Sequence, residues 1–192
     1  MTARKKYLDR YGVALAIRAT SGLFAALAVF LLLTSPVRAV EAAILSEQQT
    51  AASYFPAWFK LSFLDLQQDL AEARSAGKQG VMVLFSIRGC AYCKKLVEQS
   101  LKEPAIEATL RRHFDVIHLD IHSDLDLKDP QGRAMPVKAF ARREGASFSP
   151  TVAFYGLDGL NLLRVVGYQT PERFRATLNQ AVACSTKRIA CP

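Results

Sequence analysis

The chain has 192 residues, 51% of them hydrophobic, which suits one domain with a substantial core and is short for two. Its formal charge of +8 points first to nucleic acid or a membrane surface, but Arg4, Lys5, Lys6, Arg10, Arg18 and Arg38 face only Asp9 within residues 1–39. The remainder carries 19 basic and 16 acidic side chains, so no nucleic-acid partner is expected.

Residues 1–39 have the order of a secretory signal: a basic start, the apolar run Gly22 to Leu33, then Val37-Arg38-Ala39 with small residues where a signal peptidase reads. Cleavage is expected after Ala39. The competing reading is an uncleaved membrane anchor, although the run falls short of the ~20 residues that span a bilayer. Either way the protein is expected in the periplasm, where disulfides persist. Four cysteines follow, as two pairs: Cys90 with Cys93, and Cys184 with Cys191.

Residues 40–57 show no period and read as a lead-in segment. A helix is expected from Ser62, because Ser62 and Asp65 have the capping-box spacing and Phe63, Leu66, Leu70 and Ala73 follow on one apolar face. Trp58 and Phe59, with Phe63, are expected to pack under that helix, and Gly77 to stop it. Val81 to Phe85 is a continuous apolar run of strand length, the mark of a strand buried on both faces. A helix from Cys90 to Leu101 is expected next, interrupted by Pro104 and resumed from about Ala105 to His113. Val116 to Ile121 is the second strand.

Residues 122–135 are polar and read as a solvated surface loop. The alternating acids Asp124, Asp126 and Asp129 lack the glycine and later glutamate that an EF-hand calcium loop needs. A helix over 136–144 ends at Gly145. Thr151 to Tyr155 is the third strand, Gly156 to Gly159 a turn, and Leu160 to Val166 the fourth strand, antiparallel to the third. Thr170-Pro171-Glu172 opens the last helix with an N-cap, a proline in the first turn and an acid near the positive dipole end. Strands and helices that alternate and then close on a hairpin predict an α/β domain. Its sheet has four strands, is mixed and is flanked by helices, with an extra helix at the N-terminal side.

Cys90-Ala91-Tyr92-Cys93 lies between a buried strand and a helix start. Unpaired N–H donors and partial positive charge there favour a thiolate, and Lys94 and Lys95 add charge. The expected chemistry is attack by Cys90 on a disulfide, followed by release through Cys93. A zinc site built from all four cysteines would want two compact pairs, and Cys184 and Cys191 are too far apart for that. His113 and His122 show no metal-ligand spacing, so no metal is expected.

Three segments together resemble the thioredoxin superfamily, and within it the SoxW-type exported thioredoxins. They are Trp58-Phe59-Lys60 through Leu64-Asp65-Leu66, the Cys90–Lys94 unit, and Phe148-Ser149-Pro150-Thr151 with Gly167 closing the hairpin. The resemblance covers roughly residues 56–183. It implies a thioredoxin-like domain over 58–183, preceded by the lead-in 40–57 and followed by a tail over 184–192. It also implies a cis peptide at Pro150 facing the disulfide, and a Ser149 backbone that pairs with an extended substrate. Tyr92 would touch the substrate too. No cofactor beyond the redox disulfide is implied. The implied partners are protein or small-molecule disulfides and a membrane thiol electron donor, with the protein a monomer, and a link to sulfur oxidation or cytochrome maturation is suggested.

Two departures stand out. Many thioredoxins carry a buried acid where this chain has Leu84, and His118 stands near a position often occupied by lysine. His118 is therefore a possible proton acceptor for Cys93, against the alternative of a strand histidine hydrogen-bonded in place. Cys184 and Cys191 are expected to form a structural disulfide; a second redox pair is the alternative. Two rivals to the reductase remain: an oxidase or isomerase of secreted proteins, and a binding module in which Cys90–Cys93 is merely structural.

Overall fold

The computed structural model describes residues 54–191; the expected signal segment lies outside them. Four strands form one mixed sheet, in the order Phe114–Asp120, Gly80–Ser86, Thr151–Gly156, Asn161–Val166. β1 (Gly80–Ser86) runs parallel to β2 (Phe114–Asp120) and antiparallel to β5 (Thr151–Gly156). β6 (Asn161–Val166) closes the hairpin on β5. Every residue of β1 and β5 is buried, because helices cover both faces. Gly80 is required where these strands meet, since a Cβ there would stand 1.9 Å from the Tyr155 carbonyl oxygen.

The two faces hold separate cores. Val81, Val83 and Phe85 point to one side, where Leu66, Leu70 and Ala73 of α1 (Leu66–Ser75) and Phe140 of α4 (Val137–Arg143) pack. Met82 and Leu84 point to the other, against Leu96, Val97 and Leu101 of the segment that follows α2 (Ala91–Lys95), Ile106 and Leu110 of α3 (Pro104–His113), and Phe174 and Leu178 of α5 (Pro171–Lys187). The segment Leu96–Leu101 continues α2 as a π-helix. Among the described residues no helix is long and apolar enough to cross a membrane.

Several elements differ from expectation. The first helix starts at Leu66, not Ser62: Leu64 has φ 63°, which breaks the helical path, and Asp65 is the cap, accepting from the Gln68 N–H at 3.0 Å. The Ser62 hydroxyl instead accepts from Leu64 N–H and donates to Asp69. Phe63 is thereby turned out and is 93% exposed. Trp58 and Phe59 do not pack under α1. They pack against the opposite core, together with Tyr54 and Phe55 of the lead-in. The Lys60 N–H donates to the Val116 carbonyl at 2.7 Å and draws this aromatic segment along the outer edge of β2.

The polar stretch after β2 is not a plain solvated loop. Asp126–Lys128 (β3) and Ala134–Pro136 (β4) pair as a small antiparallel hairpin. Asp129 is fully buried beneath it, accepting from the Gln131 and Arg133 N–H groups and from the Arg133 and Arg143 guanidinium groups at 2.7–2.9 Å. At the other end of the chain the expected tail begins inside α5, which runs on to Lys187 and contains Cys184.

Candidate active site at Cys90 and Cys93

The site forms where β1 ends. Gly89, with φ 72°, lets the chain turn sharply out of the sheet, and Cys90 becomes the N-cap of α2. The Cys90 sulfur accepts from the Cys93 N–H at 3.1 Å. Cys90 and Cys93 form a disulfide, with Cα atoms 5.2 Å apart. The sulfurs differ in access: Cys93 is completely buried, whereas Cys90 retains 9% exposure at the rim. One sulfur is therefore placed to meet another molecule, with the second directly behind it.

The opposing wall comes from the start of β5. The Ser149–Pro150 peptide bond is cis, and the Ser149 hydroxyl lies 3.5 Å from the Cys90 sulfur. The Ser149 backbone N–H and C=O have no partner among the described residues, which leaves them free for an extended chain. A third segment braces both walls. Gly167 N–H donates to the Pro150 carbonyl at 2.8 Å, the Ser100 hydroxyl donates to the Gln169 carbonyl at 2.7 Å, and the Lys95 ammonium lies 4.6 Å over the Tyr168 ring. Tyr92 projects from the turn with 63% of its surface exposed, and Phe148 beside Ser149 with 73%.

His118 lies opposite Leu84 in the β1–β2 register. Its Nε2 is 2.6 Å from the Ser86 hydroxyl, and the Phe55 ring stacks on it at 4.1 Å. Burial pushes its pKa below the ordinary histidine value, with the Asp120 charge working against this. Burial likewise pushes the Tyr54 phenol up, eased by a hydrogen bond with Ser86. The hydrogen bond His118 makes is with Ser86; no bond joins it to either cysteine among the described residues. Ser86, Tyr54 and Phe55 escape sequence reasoning, although a serine closing an apolar strand and a lead-in rich in aromatics were the available signals.

Cys184 of α5 and Cys191 form a second disulfide. Cys184 is buried and Cys191 half-buried. The Cys191 N–H donates to the Leu162 carbonyl at 2.7 Å, so the bond straps the chain end onto the outer edge of β6. Among the described residues no cluster of three or more His, Cys, Asp or Glu side chains could hold a metal ion.

A two-cysteine turn at the head of a helix, faced by a cis-proline loop at the end of a mixed four-stranded sheet, defines a thioredoxin-type domain. The thioredoxin-like domain family matches residues 66–182, and the chain belongs to that family. Among solved structures it is similar to a thioredoxin from Thermus thermophilus, at 25% identity over 62% of this chain and 84% of that one, with a TM-score of 0.48. It is also similar to the DsbD C-terminal domain of Neisseria meningitidis in its reduced form, at 18% identity over 60% of this chain and 93% of that one, with a TM-score of 0.45. No curated protein sequence matches the chain.

Proposed function

We propose that the protein is an exported thiol–disulfide oxidoreductase that reduces protein or small-molecule disulfides in the periplasm. The observation that carries this reading is the unequal access of the two bonded sulfurs, Cys90 at the rim beside Ser149 and Cys93 buried behind it. In the reduced protein, the Cys93 N–H that now donates to the Cys90 sulfur stabilises a thiolate there. That thiolate attacks one sulfur of the substrate disulfide. The substrate S–S bond breaks, a mixed disulfide forms on Cys90, and the first substrate thiolate leaves.

Cys93 then loses its proton and attacks the Cys90 sulfur. The mixed disulfide breaks, the second substrate thiolate leaves, and the Cys90–Cys93 bond is restored. The substrate has gained two electrons and the protein has lost two, so a dithiol donor in the membrane must restore the pair. His118, opposite Leu84 on the neighbouring strand and hydrogen-bonded to Ser86, is the proposed acceptor of the Cys93 proton. Tyr92, Ser149 and Pro150 hold the substrate. The SoxW-type segments of the sequence favour a role alongside sulfur oxidation or cytochrome maturation.

Dithiothreitol-coupled insulin reduction tests the activity: the wild type should accelerate precipitation and Cys90→Ser should not. Equal rates would reduce the protein to a binding module. Titration against glutathione tests the direction. Potentials of the fold span about −270 to −120 mV, and a value at the oxidising end would make the protein an oxidase.

A further inference from the structure

Resting on the oxidoreductase reading, we propose that the rim around Cys90 selects disulfides carried in acidic protein segments that bear a large apolar side chain next to the cysteine. The first support is charge. Arg88 precedes Cys90 by two residues, and Lys94 and Lys95 directly follow Cys93. All three are exposed. Arg88 has no ion-pair partner among the described residues.

The acids near this end of the sheet do not neutralise the rim. Glu98 lies 3.9 Å from Lys94. Asp120 ends β2 and accepts from the His122 N–H. Asp124 is paired with Lys138. The turn and helix that carry the cysteines therefore present three cations against Glu98, and a complementary partner is negative.

The second support is the pair of exposed aromatics. Tyr92 comes from the cysteine turn and Phe148 from the proline loop, the two segments that meet at the Cys90–Ser149 contact. Neither ring stacks on another aromatic among the described residues. Phe148 is nonetheless held, because the Thr151 hydroxyl donates to its carbonyl at 2.7 Å. An exposed ring on a fixed backbone is a preformed apolar contact that costs little ordering on binding. The free N–H and C=O of Ser149, next to Phe148 in the chain, would align an extended segment, its apolar side chain against Phe148 and Tyr92 and its acids toward Arg88 and Lys94.

The test uses the full chain, reduced and desalted, with three peptides of equal length carrying an internal disulfide. One is flanked by glutamate and phenylalanine, one by lysine and phenylalanine, and one by glutamate and serine. The acidic–aromatic peptide should be reduced fastest. Its single-turnover second-order rate constant should exceed that of the lysine peptide about three- to tenfold at low salt and that of the serine peptide about tenfold. Arg88→Glu should bring the first ratio to unity or below, and Phe148→Ser should collapse the second. Equal rates for all three peptides, faster reduction of the lysine peptide, or ratios untouched by the substitutions would overturn the proposal while leaving the oxidoreductase intact. Failure to reduce both the peptides and uncharged bis(2-hydroxyethyl) disulfide would overturn the two together.

Discussion

Removing the Cys184–Cys191 bond should weaken the domain and leave its redox chemistry alone. The bond joins residues seven apart in sequence, so it closes a loop of about eight residues, worth roughly 2.5 kcal/mol in the chain-entropy model. Release of the chain end also endangers the hydrogen bond from Cys191 N–H to the Leu162 carbonyl, adding about 1 kcal/mol. The double variant Cys184→Ala, Cys191→Ala should therefore lose about 2.5–3.5 kcal/mol. That appears as a lower midpoint in urea with little change in slope, and as a melting temperature down by roughly 8–12 °C. Its rate of insulin reduction should match the wild type. Unchanged stability with a collapsed reduction rate would refute this reasoning and make the pair a second redox centre.

Three further outcomes follow from the geometry. His118 has a folded pKa below its ordinary value of 6.5, so the unfolded chain takes up that proton first. Stability should be fully present above about pH 6.5 and fall as the pH drops from there toward the lowered folded value; in His118→Phe this part of the pH–stability curve should flatten, and an unaltered curve would contradict the assignment. If His118 also receives the Cys93 proton, the same variant should change the pH profile of reduction between pH 6 and 8. Asp129→Ala leaves the N–H groups of Gln131 and Arg133 without their acceptor. It should cost about 1–3 kcal/mol by chemical denaturation, and no measurable loss would show that water replaces the carboxylate.

How legible the fold was depended on whether local chemistry or distant contact decides a segment. Val81 to Phe85 read as a doubly buried strand because every residue in it is apolar, and all of β1 is covered. Thr170 and Pro171 marked the start of the last helix because capping is local, and Thr170 accepts from the Arg173 N–H. The capping-box spacing at Ser62 misled because the positive φ of Leu64 separates the serine from the helix, a backbone choice no spacing rule contains. The side of the sheet that Trp58 and Phe59 cover was equally hidden. Their aperiodic segment is held by an edge hydrogen bond from Lys60 to Val116 and by the ion pairs of the Lys60 ammonium with Asp69 and Asp115; Val116 and Asp115 are far from Lys60 in sequence.

At the site, Cys90 and Cys93 could be read from their spacing and their place after a buried strand. The partner of His118 could not, since Ser86 and the covering Phe55 meet it only through the β1–β2 register and the folded lead-in. The acidic stretch 124–129 gave a similar lesson. Its charges suggested solvent, yet Asp129 is buried because two arginines and two N–H groups converge on it.

In the proposed mechanism Cys90 captures the substrate and Cys93 releases it. The most direct measurement of this is mass spectrometry of the Cys93→Ser protein after exposure to periplasmic extract under non-reducing conditions. Partner proteins should be held in mixed disulfides through Cys90, and none by the Cys90→Ser, Cys93→Ser double variant. Partners attached through Cys184 or Cys191, or equal capture by the double variant, would contradict it.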